Sequence, residues 1–244
     1  MVLATLAGLI TLSWTFLVLM ARDIGGLGMT DMPMTMTALE PWDLQIAFAV
    51  FLMWTIMMVG MMLPSAAPMI LLNAALLRKS EEPQPVQSFT ILFLLGYLAS
   101  WTVFSAVATA LQWWLASMQL VTPMMRGASS LLNAAILIAA GIYQWLPLKE
   151  ACLRYCSTPA AFLTKHRRSG PSGAFLMGLY HGVYCVGCCW VLMLLLFVGG
   201  VMNLLWIAGL TVFVLLEKAV PGGEIIGKTA GVFLVVAGAW ILGG

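Results

Sequence analysis

The sequence predicts an all-α fold: a polytopic membrane bundle of about seven transmembrane helices, formed by a single domain over residues 1–244. Of its 244 residues, 62% are hydrophobic and only 8% are charged. Apolar runs of about twenty residues, long enough to cross a bilayer core, recur along the chain. The segments between these runs are too short to bury a core of their own, so no soluble domain is expected.

Seven spans are predicted from the positions where the apolar runs begin and end. The first, residues 2–20, has no basic residue before its apolar stretch and is interpreted as a retained helix rather than a signal peptide. The second begins after Asp43 and reaches about Leu77, and Pro64 and Pro68 predict a break within it because each removes a backbone donor. The remaining five cover residues 88–118, 125–146, 173–198, 202–216 and 225–242.

The distribution of Lys and Arg predicts the orientation of the bundle. With the N-terminus in the cytoplasm and the C-terminus outside, only Arg22 and Arg126 lie outside, as the positive-inside rule requires. The inner basic residues are then Arg78, Lys79, Lys149, Arg154, Lys165, Arg167, Arg168, Lys218 and Lys228. The net charge of +2 is therefore attributed to the basic residues that orient the spans in the membrane, and no nucleic-acid partner is expected.

Four soft metal ligands lie along one stripe of the fifth predicted helix. His181, Cys185, Cys188 and Cys189 are spaced i, i+4, i+7 and i+8, near the middle of the span. Thiolates and imidazoles bind Cu(I) and Zn(II), and paired thiols can carry out redox chemistry. Cysteine also packs as a small apolar residue, but three of them with a histidine favour a metal or redox site. Cys185 and Cys188 are expected to act together as a pair of ligands or redox thiols, and Cys189 is expected to face a different neighbour.

A second candidate thiol site follows the fourth span. Cys152 and Cys156 are spaced i, i+4 and are expected on the cytoplasmic side, where Lys149 and Arg154 would favour their thiolate forms. The alternative is that both cysteines pack at the membrane interface.

Methionine is the third soft ligand, with 18 residues in the chain. Met57, Met61 and Met62 lie on the second helix, and thioethers select Cu(I), although Met is also a common filler of buried helices. A further group crowds the first outer loop and could begin a route inward: Met29, Met32, Met34 and Met36.

Other residues are expected to support the bundle rather than bind metal. Small residues one turn apart let helices approach closely, which predicts tight contacts at Gly178 with Gly182 and at Gly227 with Gly231. A charge cluster at the inner surface is expected from Glu217, Lys218, Glu224 and Lys228.

Several motifs together resemble a bacterial family of predicted metal-binding integral membrane proteins of unknown function. They are Met61-Met62-x-Pro64 with Pro68-Met69, Gly141-x-Tyr143-Gln144-x-x-Pro147-Leu148-Lys149-x-x-Cys152-x-x-x-Cys156-x-x-Pro159, Cys185-x-Gly187-Cys188-Cys189-Trp190-x-Leu192-Met193, Gly200-x-Met202 and Glu217-Lys218. The resemblance covers most of the chain from the second helix onward. It implies metal binding and a bacterial inner (plasma) membrane location, but no mechanism.

The function expected from these residues is Cu(I) transport, trafficking or insertion, with copper as the favoured metal and zinc as the alternative. A membrane thiol–disulfide oxidoreductase and a copper-containing membrane enzyme remain open, although the chain offers only His166 and His181 for a histidine-rich enzyme site. A structural partner subunit is a further alternative. The expected partners are the lipid bilayer and other membrane subunits or a metallochaperone.

Overall fold

The computed structural model describes residues 2–26, 43–79, 85–122, 126–166, 168 and 170–243. This part of the chain folds into nine helices joined by turns, with one isolated bridge between Val121 and Gly127. The helices are α1 (Val2–Gly26), α2 (Leu44–Arg78), α3 (Val86–Ser117), α4 (Ser130–Tyr143), α5 (Pro147–Ser157), α6 (Pro159–Lys165), α7 (Gly170–Gly199), α8 (Leu204–Ala219) and α9 (Gly223–Gly243). The all-α prediction is confirmed, while the Met-rich loop lies outside the described residues.

Five of these helices, α1, α2, α3, α7 and α9, are long and apolar enough to cross a membrane. Helices α4 and α5, which meet at a bend of 65°, qualify together as a sixth span. The predicted count of seven is not confirmed, because α8 has only 16 residues and α4 only 14. Helix α4 ends early because Pro147 pushes the preceding residue, Leu146, into an extended conformation.

Helix α2 continues through the two prolines at which the sequence predicted a break. Pro64 deprives the Gly60 carbonyl of its usual helical donor. The indole Nε1 of Trp14, on α1, donates a hydrogen bond to that oxygen at 3.2 Å. A neighbouring helix thus satisfies the freed carbonyl, which is how prolines are tolerated in membrane helices.

Glycines bring α7 into close contact with α3. A Cβ atom at Gly178 would overlap the carbonyl oxygen of Phe93, and one at Gly182 would lie 2.5 Å from Ser100 Oγ. The predicted close approach at this pair is confirmed.

The second predicted pair brings α9 against α4 and α8. A Cβ at Gly231 would lie 2.8 Å from the carbonyl oxygen of Gly141 on α4, and one at Gly227 would overlap the Glu217 carboxylate on α8. Both glycine pairs therefore have the close contacts that their spacing predicted.

Helices α5 and α6 run back along α7 inside the bundle. The Tyr143 hydroxyl, at the end of α4, donates to the Gly187 carbonyl on α7. Further along the chain, the Phe162 ring on α6 packs against the His181 ring, with centroids 5.3 Å apart. The chain after α4 therefore runs back along α7, from the level of Gly187 to that of His181, and does not leave the bundle.

A buried ion pair joins α5 to α8. Lys149 Nζ pairs with Glu217 Oε1 and also donates to Gln144 Oε1, and the side chains of Lys149 and Glu217 are only 2% and 1% exposed. The prediction that Glu217 belongs to a surface charge cluster is wrong, because the fold-back of α5 delivers a lysine to it in the interior. Lys228 does form a partly exposed pair, with Glu150 at 3.9 Å.

We expect Gly178→Ala to destabilise the protein by about 1–3 kcal/mol, because its Cβ must push α3 away from α7. Thermal unfolding of the purified protein in detergent measures the effect. Gly209→Ala, on α8, is the matched control, since no atom of another described helix lies within 4 Å of its added Cβ. Equal melting temperatures for the two variants would contradict the close contact.

We expect Lys149→Met and Glu217→Met each to destabilise the protein by about 3–5 kcal/mol, because each leaves one buried charge without its partner. The double variant should recover most of that loss, since it removes both charges. Thermal unfolding tests the cycle, with Arg154→Met as a control from an exposed pair with Glu150 that should scarcely shift the melting temperature. Additive losses in the double variant would contradict a coupled pair.

Candidate metal centre

Helix α7 directs its three cysteines towards three different neighbours. Cys185, Cys188 and Cys189 are all buried, with at most 1% of each side chain exposed. Cys188 and Cys189 are successive residues and are therefore rotated by about 100° from each other about the helix axis, which turns their thiols towards different neighbours. Cys185 lies about midway along the 30 residues of α7.

Cys188 meets a cysteine of α5. Its Sγ lies 4.0 Å from Cys156 Sγ, and the Cys185 thiol is also within interaction range of Cys156. Cys156, which the sequence placed in a separate candidate site, therefore belongs to the same cluster as Cys185 and Cys188. Cys156 is buried against α7, because α4 ends at Tyr143 and α5 turns back along α7.

Cys152 lies one turn before Cys156 on α5 and is half-buried against α7. A Cβ at Gly187 would lie 2.8 Å from Cys152 Sγ, so this glycine makes room for the sulfur. Cys152 thus contacts the backbone beside the cluster, whereas Cys156 contacts a thiol within it.

Cys189 faces the methionine stripe of α2. Its Sγ lies 3.9 Å from Met62 Sδ. Met57 and Met61 are fully buried on the same helix, but within the described residues neither forms a comparable contact with a cysteine. Of the three predicted methionine ligands, the structure therefore brings Met62 to the thiols.

Cys185 contacts two polar groups from α3 and α8. Tyr97 Oη lies 3.2 Å from Cys185 Sγ and also donates to the Met62 carbonyl oxygen at 3.1 Å. Lys218 Nζ lies 2.9 Å from the same sulfur and 3.3 Å from Ser65 Oγ. Sequence reasoning missed both partners at this site: Tyr97 is one of several polar residues in a mostly apolar helix, and Lys218 resembled a surface charge at a helix end.

The basic residues expected beside Cys152 and Cys156 are bound elsewhere. Lys149 is held by Glu217 and Gln144, and Arg154 Nη2 pairs with Glu150 Oε1 at 2.6 Å. The prediction that they stabilise thiolates is wrong. The lysine that contacts a thiol is Lys218, which comes from α8.

His181 lies one turn before Cys185 inside an aromatic enclosure. The rings of Phe93, Tyr97 and Phe162 surround it, with centroids 6.1, 5.6 and 5.3 Å from the imidazole. Its Nδ1 is buried and has no hydrogen-bond partner among the residues that the structure describes. The histidine thus adjoins the cluster through Tyr97 and retains a free nitrogen.

The sulfurs form adjoining pairs rather than a complete coordination shell. At the thiolate–metal bond length of about 2.3 Å known for zinc, sulfurs 4.0 Å apart subtend about 120° at an ion between them. The thiols of Cys188 and Cys189 donate to the Cys185 carbonyl oxygen at 3.1 and 2.9 Å. Across the described ranges, no three His, Cys, Asp or Glu side chains are assembled as a ready metal site. Binding would therefore need thiol protons to leave and side chains to adjust.

No curated protein and no solved structure matches the chain. A family model described as PpoB2, copper chaperone, matches residues 51–241, a range that includes the sulfur residues Met62, Cys156, Cys185, Cys188 and Cys189. The chain therefore belongs to the PpoB2 copper chaperone family.

Proposed function

We propose that this protein is an intramembrane carrier of Cu(I), which it holds as cargo on a cluster of sulfur ligands and passes to a partner. The observation that carries the proposal is the convergence of five sulfur side chains from α2, α5 and α7 in the buried centre of the bundle. They are Met62, Cys156, Cys185, Cys188 and Cys189.

The ligand types favour Cu(I) over other ions. Thiolates and thioethers are soft ligands that select Cu(I), whereas the harder ions prefer oxygen. Zinc shares the preference for thiolates but does not commonly use a thioether such as Met62. Membership of a copper chaperone family supports the same metal.

The arrangement suits an ion that must leave again. Sulfur pairs at 3.9 and 4.0 Å can hold an ion without a closed shell, and His181 supplies a buried nitrogen one turn away along α7. A receiving partner, such as a metallochaperone or another membrane subunit, would offer competing soft ligands.

The orientation proposed for this carrier has the N-terminus in the cytoplasm of a bacterial inner membrane. It is supported by the basic residues at one end of the long helices, including Arg78 and Lys79 at the end of α2 and Arg168 before α7. In that orientation copper binds about midway along α7, between the two surfaces.

Thiol–disulfide exchange is less well supported. Exchange requires one thiolate to attack an accessible sulfur of its partner protein. The thiols of Cys156, Cys185, Cys188 and Cys189 are buried, so a second protein would not reach them without opening the bundle.

We expect Cys185→Ala combined with Cys188→Ala to abolish copper retention, because the change removes two thiols from the centre of the cluster. The measurement is elemental analysis of the full chain, purified in detergent, loaded anaerobically with Cu(I) and desalted. Met57→Leu is the control, since it removes a buried sulfur outside the contacts described above. Equal copper in the wild type and the double variant would contradict the proposal.

We expect Cys156→Ser to weaken Cu(I) binding by at least about tenfold, the lower end of what loss of a supporting residue costs a metal site. Cys152→Ser, one turn away on the same helix, should leave the affinity unchanged. Competition with a coloured Cu(I) chelator measures both affinities. A larger loss of affinity in Cys152→Ser than in Cys156→Ser would contradict the prediction, because it would identify Cys152 as the ligand from α5.

A further inference from the structure

The sulfur cluster contains a buried positive charge that metal ligation itself does not require. Lys218 Nζ lies 2.9 Å from Cys185 Sγ, and its charge also acts on Cys188, Cys189 and Cys156. The side chain is only 7% exposed. An ammonium in the interior of a membrane protein is costly, and such residues are usually functional.

No carboxylate neutralises Lys218 within the described residues. Its other contact is the Ser65 hydroxyl at 3.3 Å. The adjacent Glu217 is paired with Lys149, and that pair is neutral in sum. Of the other groups near the cluster, Tyr97 is an uncharged phenol and His181 is enclosed by aromatic rings. The metal would therefore bind in the field of a cation whose nearest partner in the described residues is a thiol of the cluster and not a carboxylate.

We propose that Lys218 is the residue that determines which ion charge the cluster accepts, and that it excludes divalent cations in favour of monovalent ones. This inference rests on the proposed function, since it concerns the same sulfur site. It assigns a role to a side chain that donates no electron pair to the metal.

The argument follows from Coulomb's law. The repulsion between an ammonium and a bound ion is proportional to the charge of the ion, so a divalent ion experiences twice the repulsion of a monovalent one at the same position. The thiolates themselves attract the divalent ion more strongly, and Lys218 opposes that advantage. For every thiolate that both ions bind, the cost of removing the thiol proton enters both affinities and cancels in their ratio.

The size of the effect can be bounded. For one additional unit of charge about 5 Å from the ammonium, at an effective dielectric constant of about 20, the ratio of Zn(II) to Cu(I) affinity changes on the order of 100-fold. That is large enough to separate a charge effect from small changes in packing.

The experiment measures Zn(II) and Cu(I) affinities of the full chain in detergent under anaerobic conditions, each by competition with a chelator. Lys218→Met should raise the Zn(II)-to-Cu(I) affinity ratio on the order of 100-fold. Lys218→Arg, which keeps the charge, should leave the ratio within a few-fold of the wild type. The double variant Lys149→Met with Glu217→Met is the matched control, because it removes a neutral pair and should not change the ratio.

A second variant tests the inference without a change at Lys218. Ser65→Glu places a carboxylate beside the ammonium, since Ser65 Oγ already lies 3.3 Å from Lys218 Nζ, and it should raise the ratio as Lys218→Met does. This variant decides the question if Lys218→Met does not fold. An unchanged ratio in a folded Lys218→Met or Ser65→Glu protein that still retains copper would overturn the role proposed for Lys218. It would not overturn the proposed copper-carrying function. A wild-type protein that retains no copper would instead overturn the proposed function.

Discussion

The glycine-lined surface of α7 is the constraint on which the candidate metal centre depends. Gly178 and Gly182 let α3 approach, so that Tyr97 reaches Cys185. On another side of the helix, Gly187 leaves room for α5, which carries Cys156 to Cys188. Without a hydrophobic force between helices in lipid, such close backbone contact is a main source of association. The packing that stabilises the bundle thus also assembles the sulfur ligands.

The features predicted correctly from the sequence are those with a local cause. Apolar runs predicted the long helices, the glycine spacing predicted the close contacts of α7 and α9, and the offsets of the three cysteines predicted that Cys189 would face a separate neighbour. The contact between Cys156 and Cys188 has no local cause. It depends on α4 ending at Tyr143 and on the 65° bend before α5, and Pro147 is equally compatible with a chain that leaves the membrane.

The locations predicted for the two buried lysines were wrong for a related reason. In membrane proteins Lys and Arg usually flank the spans, so Lys149 and Lys218 were both predicted at the inner surface. Each instead has a partner far away in sequence: Lys149 contacts Glu217, 68 residues on, and Lys218 contacts Cys185, 33 residues before it. A charge inside the bundle is sustained by such a partner, and a single sequence does not reveal which distant residue supplies it.

Helix α1 lies outside the family match, yet the position of Met62 depends on it. Because Trp14 satisfies the Gly60 carbonyl freed by Pro64, α2 continues as a helix instead of breaking beside the cluster. The continuous backbone holds Met62 so that its sulfur faces Cys189 and its carbonyl oxygen accepts from Tyr97. A break at Pro64 would rotate the segment that follows relative to the one before it and disturb both contacts. The indole of α1 is therefore a structural support of the thioether ligand.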